Sequence, residues 1–255
     1  MGGGMGHERI GVLPKTKRWR AIVAEIATVD TPPSDVPEIA RHTLNALGSR
    51  YVDLASDTAV ETAFGYLIDF ARMAAGKQAA ADIANKSPLS IVIDLGQRLA
   101  ATEGSMETAE IVRRAAADAV ATWGRENATT QSDLFADSAP GNPWRGLGTG
   151  AGFCELSRLF FSRLTERYLN YFLDREASAA LPNLQSREQF RRHLQAHLGE
   201  VSKHSFETAK ITQSFAAGWF NKNAVTNQPT RAQIRRFLSY AFAKLREDLR
   251  REDRQ

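Results

Sequence analysis

Hydrophobic residues recur at intervals of three and four through most of the chain, the spacing that places them on one face of an α-helix. In residues 16–29 this register holds Trp19, Ile22, Val23 and Ile26. Four further segments with the same spacing follow, at residues 37–51, 56–71, 88–99 and 105–123. The β-branched run at residues 88–99 leaves a strand as the lesser alternative for that segment. We therefore predict an all-α fold.

Three longer amphipathic segments occupy residues 153–180, 186–220 and 230–249. Each carries an apolar stripe with polar residues on the opposite face, as helices packed around a shared core do. Helices of this length joined by short connections favour antiparallel packing. The C-terminal part of the chain is therefore predicted to be a three-helix bundle with long antiparallel helices.

The stretch between these two groups of helices is rich in Ser, Thr, Asn, Asp, Pro and Gly, and it breaks the helical pattern. Stretches of this composition connect helical regions and mark domain boundaries. The glycine-rich N-terminus is predicted to be a disordered tail. The predicted organisation is that tail at residues 1–14, an acidic helical region at 15–125, the connector at 126–152 and a basic helical bundle at 153–255.

Charge is distributed unevenly between these regions, although the whole chain has a formal net charge of only +4. Residues 21–140 hold nine basic and seventeen acidic residues, whereas residues 141–255 hold nineteen basic and eleven acidic ones. Such an asymmetry is more informative than the net charge. It predicts that the two regions pair with each other, that two copies pair head to tail, or that the basic region meets a polyanion.

Basic residues are concentrated on the last predicted helix, next to aromatic residues. Together with an arginine of the connector they form a predicted nucleic-acid or anion-binding set: Arg145, Arg231, Arg235, Arg236 and Lys244. Three further arginines are expected to add to the same surface: Arg158, Arg163 and Arg167. Basic side chains beside aromatic ones are typical of faces that contact phosphates. The alternatives are a solvated helix face or one that pairs with the acidic region.

Glycines at every second position, Gly146, Gly148, Gly150 and Gly152, lead into the first helix of the predicted bundle. Backbone N–H groups of such a loop can bind a phosphate at a helix N-terminus. The sequence lacks a preceding strand and a Gly-Lys-Ser/Thr ending, so neither nucleotide-binding motif is complete. The favoured interpretation is a joint that lets the helix pack closely. The alternative is a simple anion site with Arg145.

Three histidines, His193, His197 and His204, lie near one face of the second long helix. Two histidines four residues apart can bind a metal ion, but no His-Glu-x-x-His motif is present, so neither a metal nor a cofactor is predicted. We expect instead a buried polar seam that fixes the register of the helices. Cys154, the single cysteine, is interpreted as a small buried thiol, with catalysis at a helix N-terminus as the weaker alternative.

Large apolar residues interrupt the polar connector at Leu134, Phe135 and Trp144, and we predict that they bind a partner. The C-terminal region is also rich in Phe, Tyr and Trp. Aromatic residues in excess of what a three-helix core can bury would leave an exposed apolar patch, which is typical of protein interfaces. A protein partner or a homo-oligomer is therefore predicted, with nucleic acid as the alternative partner of the basic region.

Neither secretion nor membrane insertion is predicted. A single cysteine excludes an internal disulfide, and residues 1–11 lack the apolar core of a signal peptide. No apolar run approaches the roughly 18–20 residues that cross a bilayer. The chain is therefore predicted to be soluble and cytoplasmic. Its alanine- and arginine-rich composition suggests a bacterial source.

Three classes of function follow from these features. The favoured one is a non-enzymatic helical subunit or adaptor of a larger assembly, for example in a bacterial multi-gene system such as antiviral defence. It rests on the charge asymmetry, the aromatic content and the lack of a recognisable catalytic motif. The second is a nucleic-acid-binding protein that uses the basic C-terminal helices. The third is an enzyme with a histidine-rich metal or anion site.

Overall fold

The computed structural model describes most of the chain. The described residues are 20–22, 24, 35–76, 86–102, 105–128, 143–144, 146–181, 183–207 and 210–251. Within these ranges the structure is 86% helical and has no strands, which confirms the predicted all-α fold. No helix formed by these residues combines the length and the apolar character that crossing a bilayer requires.

The helices begin and end close to the predicted positions. They are α1 (Asp35–Leu47), α2 (Arg50–Asp53), the 3-10 turn η1 (Leu54–Ser56), α3 (Thr58–Ala75), α4 (Pro88–Ala100), α5 (Met106–Ala128), α6 (Gly150–Ala180), α7 (Leu184–Glu207), α8 (Lys210–Asn223) and α9 (Arg231–Arg251). The single helix predicted at 186–220 is described as two, α7 and α8, on either side of residues 208–209. The strand considered for 88–99 is wrong, because that segment forms α4.

Capping side chains explain the starts of α3 and α4. The Asp57 carboxylate accepts a hydrogen bond from the backbone N–H of Ala59 at 2.8 Å. Ser87 Oγ accepts one from the N–H of Ser90 at 3.1 Å, and Pro88 occupies the first turn of α4, where a helix does not need its N–H. A capped start with proline in the first turn favours a helix here despite the β-branched residues that follow.

The acidic and basic regions share one hydrophobic core. Phe64 of α3 stacks on Phe237 of α9 with ring centroids 5.1 Å apart, and Phe153 of α6 lies 6.0 Å from both rings. Most aromatic residues of the C-terminal region are buried in this core, and none of the exposed large hydrophobic side chains of the described residues is aromatic. The core therefore accounts for the aromatic content, because it draws on α1 and α3 as well as the C-terminal helices.

A buried tyrosine links the short helix α2 to two C-terminal helices. The hydroxyl of Tyr51 lies 2.6 Å from Oγ1 of Thr165 on α6, and its ring meets Phe242 of α9 edge-on at 5.3 Å. Burial raises the pKa of Tyr51 well above its ordinary value. The hydroxyl therefore stays neutral, and its hydrogen bond satisfies a polar group that would otherwise be costly to bury.

Trp144, predicted as a partner-binding residue, is instead buried within the chain. Its ring meets Phe70 of α3 edge-on at 5.1 Å, and its Nε1 donates a hydrogen bond to the carbonyl oxygen of Lys86 at 3.0 Å. A partner cannot reach a ring enclosed in this way, so the prediction for Trp144 is wrong. Leu134 and Phe135, predicted with it, lie outside the described residues.

Close packing explains the glycines before α6. A Cβ on Gly148 would overlap the backbone of Ala75 at the end of α3, and a Cβ on Gly152 would overlap that of Gly146. Thr149 caps the helix, because its Oγ1 accepts a hydrogen bond from the N–H of Gly152 at 3.0 Å. These contacts support the interpretation of the stretch as a joint that lets α6 approach its neighbours.

Replacing Gly148 by alanine is expected to lower the free energy of unfolding by about 2 kcal/mol or more, because the backbone of Ala75 cannot yield as a flexible side chain can. The matched control is Gly218→Ala in α8, where an added Cβ meets nothing within 4 Å. The control should raise stability by roughly 0.5–1 kcal/mol, since alanine favours a helix over glycine. Urea unfolding followed by circular dichroism measures both, and equal effects would contradict the close packing.

Candidate functional site

A polar groove crosses the outer faces of α5, α6 and α7. Its volume is about 610 Å³. Five arginines and three carboxylates line it: Arg114, Arg125, Arg163, Arg167, Arg191, Glu110, Asp118 and Glu166. We call it the arginine groove. It brings together residues from both the acidic and the basic regions.

One wall of the arginine groove is a stripe along α5. Glu110, Arg114 and Asp118 follow one another at intervals of four residues, and Arg125 lies seven residues beyond Asp118. Residues at these spacings share one face of a helix. From Glu110 to Arg125 the stripe extends for about 22 Å at a rise of 1.5 Å per residue. The groove is therefore elongated.

The floor of the groove belongs to α6. Nε of Arg167 donates a hydrogen bond to the carboxylate of Asp118 on α5 at 3.1 Å. Arg163 lies beside Glu166 one turn along, with the guanidinium 3.0 Å from Oε2. The hydroxyl of Tyr171 reaches Oε2 of Glu107 at 2.8 Å, which joins α6 to α5 a second time. The first two contacts pair the floor arginines with carboxylates, and the third ties α6 to α5.

The other wall comes from α7, through Arg191 and Gln195. Arg191 lies 3.9 Å from Glu188 on the same helix and is more than half exposed. Arg114, on the opposite wall, is similarly exposed although Nε lies 2.5 Å from Glu110. The rim therefore presents solvated guanidinium groups, whereas those of the floor are partly buried.

The electrostatics of the groove combine an excess of positive charge with embedded carboxylates. Burial raises the pKa of Glu166 above its ordinary value, and the neighbouring Arg163 and Arg167 oppose that shift. Each guanidinium carries five N–H donors, so one that meets a carboxylate still has donors for another acceptor. The groove is thus suited to holding acidic groups between arginines.

Asn170 lies in the floor beside these charges. Its side chain is buried, and Oδ1 has no hydrogen-bond partner among the described residues. A buried acceptor left without a partner destabilises a fold by roughly 1–3 kcal/mol. Such groups therefore call for an explanation, and here the group lines a concave surface.

Several residues of the predicted basic set are paired with carboxylates. Arg231 and Arg235 of α9 both contact Glu61 of α3, with Nε atoms 2.6 and 2.8 Å from its carboxylate oxygens. Glu61 is 3% exposed, whereas the two arginines are 71% and 51% exposed. Lys244 lies 2.6 Å from Asp248 on its own helix, and Arg236 is exposed. Arg231 and Arg235 are thus paired with a residue of the acidic region. Pairing with that region is one of the alternatives that the sequence left open for this helix face.

The remaining members of the predicted site are dispersed. Arg145 lies outside the described residues. Arg158 pairs with Glu155 on its own helix, while Arg163 and Arg167 line the groove with α5 and α7 and do not extend the basic face of α9. Arg163 and Arg167 therefore do not share a surface with α9 as expected, because the register of α6 turns them towards α5.

The histidines do not assemble a site that the structure describes. His193 is half-buried and its Nδ1 has no hydrogen-bond partner among the described residues. His197 is also half-buried, and burial lowers its pKa. The side chain of His204 lies outside the description. Within the described ranges no three His, Cys, Asp or Glu side chains are grouped so as to hold a metal ion. Cys154 is buried in the core.

Sequence reasoning missed the arginine groove. The signal was the stripe on α5, where oppositely charged residues recur at intervals of four, but this pattern is also typical of a solvated helix. Comparison of the chain with known protein families, with curated proteins and with solved structures gave no match.

Replacing Glu61 by glutamine is expected to lower the free energy of unfolding by on the order of 1–3 kcal/mol, because two arginines lose the buried carboxylate that they share. The exposure of both arginines keeps the loss below that of a fully buried pair. Glu38→Gln is the control, since Glu38 is exposed and its ion pairs among the described residues, with Arg41 and His42, lie within α1; its effect should stay within about 0.5 kcal/mol. Denaturant titration compares the two, and matching losses would refute a special role for Glu61.

Acidification should destabilise the protein partly through His197. Because its pKa is lowered in the fold, the unfolded chain binds more protons once the pH falls below the ordinary value of 6.5, and stability declines with it. His197→Leu should therefore lose less stability than the unsubstituted protein between about pH 7.5 and about pH 5.5. Urea unfolding at both values measures this difference. A loss in the variant as large as in the parent would show that His197 does not contribute.

Proposed function

We propose that the chain is a non-enzymatic helical subunit or adaptor that binds a protein partner through the arginine groove. The observation that supports this most directly is the groove itself: three packed helices place five arginines and three carboxylates along a concave surface. A pattern of charges of both signs favours one partner over others more than it adds raw affinity.

The placement of titratable groups supports binding over catalysis. Acid–base catalysis needs groups that converge within hydrogen-bond reach of one reacting atom. Among the described residues, Tyr51 is bonded to Thr165 in the core, Asp57 caps α3, and His197 lies half-buried on α7. Glu110 and Glu166 are shifted carboxyls in the groove, and each has arginine side chains as hydrogen-bond partners.

A nucleic-acid-binding role for α9 is the second candidate. Arg236 is exposed, and Arg231 and Arg235 keep much of their surface in solvent while they contact Glu61. A phosphate backbone would have to compete with Glu61 for those two guanidinium groups. This competition would weaken phosphate binding by α9.

Groove-dependent capture of one protein would test the proposed function. Tagged chain, purified from cells that express it naturally, is expected to carry a stoichiometric partner identifiable by mass spectrometry. The double substitution Arg114→Glu/Arg191→Glu reverses two exposed rim charges on opposite walls and should abolish the capture. Exposed substitutions of this kind change stability by only about 0.5 kcal/mol, so the fold should be retained.

Arg236→Glu/Arg250→Glu is the matched control, because both residues are exposed on α9 and the change in net charge is the same. The control should retain the partner. Loss of the partner from both variants would indicate a general charge effect and would contradict a groove-specific role. A light-scattering mass of one chain, with no stoichiometric protein captured, would contradict the proposal outright. Capture of a second copy of the chain would identify the partner as the chain itself.

A further inference from the structure

We infer that the arginine groove holds an extended, acidic segment of a polypeptide. The inference rests on the proposed function and names the ligand class of the same site. The stripe along α5 from Glu110 to Arg125 runs for about 22 Å. An extended chain advances about 3.3 Å per residue, so the groove spans about six or seven residues of a bound segment.

The charges along the groove match such a segment. Acidic side chains at alternate positions of an extended chain point to the same side and stand about 7 Å apart. Rim arginines on opposite walls, Arg114 and Arg191, are more than half exposed and can meet carboxylates without becoming buried. Arg163 and Arg167 of the floor each have five donors and give only some of them to Glu166 and Asp118.

The embedded carboxylates argue for a polypeptide over a nucleic acid. Asp118 and Glu166 lie among the arginines, and a phosphodiester backbone carries a negative charge at every unit. Some of its phosphates would therefore lie against these carboxylates and be repelled. A polypeptide can place an acidic residue opposite an arginine and a neutral or donor residue opposite a carboxylate, so its charge pattern can follow that of the groove.

The floor also contains an acceptor that a polypeptide can satisfy. Oδ1 of Asn170 has no hydrogen-bond partner among the described residues. Every non-proline residue of a bound segment supplies a main-chain N–H, whereas the phosphodiester backbone of DNA has no such donor. Asn170 lines the groove, so a main-chain N–H of the segment is the kind of donor that this oxygen lacks.

Fluorescence anisotropy with defined probes tests the inference. The probe, called the acidic probe, is a labelled peptide of about ten residues that repeats Glu-Glu-Gln-Gln, so that acidic and neutral side chains alternate along each side of an extended chain. The comparison probes are oligo-glutamine, oligo-lysine and single-stranded oligothymidylate of similar length. At low ionic strength, where screening is weakest, the acidic probe should bind and the other three should bind more weakly. Its affinity should fall as salt is added.

The groove variants decide where the probe binds. Arg114→Glu/Arg191→Glu should weaken binding of the acidic probe by roughly tenfold or more, about the loss of two partly solvated charge pairs together with the new repulsion. Arg236→Glu/Arg250→Glu carries the same change in net charge and should retain most of the affinity. Equal losses in the two variants would overturn the inference, since binding would then depend on overall charge alone.

Three other results would overturn it in distinguishable ways. Tighter binding of oligothymidylate, lost in the Arg114/Arg191 variant, would make the groove a nucleic-acid site. Absence of binding by the acidic probe, while the natural partner is still captured in a groove-dependent manner, would leave the proposed function standing and reject the acidic segment as its ligand. Absence of both would reject the two proposals together.

Discussion

The packing of α6 against helices of both the acidic and the basic region is the constraint on which the other features depend. One face of α6 buries Phe153 and Phe161 against rings from α3 and α9. Another face carries Arg163 and Arg167 as the floor of the arginine groove. Protein interiors are packed as densely as organic crystals, so the core holds the backbone beneath the groove in place. Charges fixed before a ligand arrives reduce the ordering cost of binding.

Much of the fold could be predicted from the sequence, because hydrophobic spacing reports which face of a helix is buried. Asp57 and Ser87 cap α3 and α4, which begin close to the starts of the predicted segments 56–71 and 88–99. Spacing does not report which helix covers that face. The sequence therefore suggested that some aromatic residues of the C-terminal helices would be left exposed. In the structure, Phe64 of α3 provides part of their core. Trp144 was misjudged for the same reason, since Phe70 and Lys86 enclose it from the acidic region.

The candidate site was less predictable, because its parts are distant in the sequence. Arg167 and Asp118 are 49 positions apart, and Arg231 and Glu61 are 170 positions apart. The charge asymmetry did indicate that acidic and basic regions might pair, and the contacts of Glu61 are one case of such pairing. It could not indicate that α5 and α6 would leave an unevenly charged groove, since that depends on the register in which the two helices meet.

The ion pairs of Glu61 and those of the arginine groove differ in how far their carboxylates are buried. This difference separates a structural role from a binding role. Glu61 is buried beneath Arg231 and Arg235, so its carboxylate is shielded from solvent and ties α9 to α3. In the groove, guanidinium groups likewise form an open rim, but the carboxylates are more exposed, at 42% for Glu110, 40% for Asp118 and 12% for Glu166. Removing a shared buried carboxylate leaves charges without partners and destabilises the fold. An acidic group of a ligand at an open rim gains partners without displacing a core residue. We therefore assign a stabilising role to the ion pairs of Glu61 and a recognition role to the arginine groove.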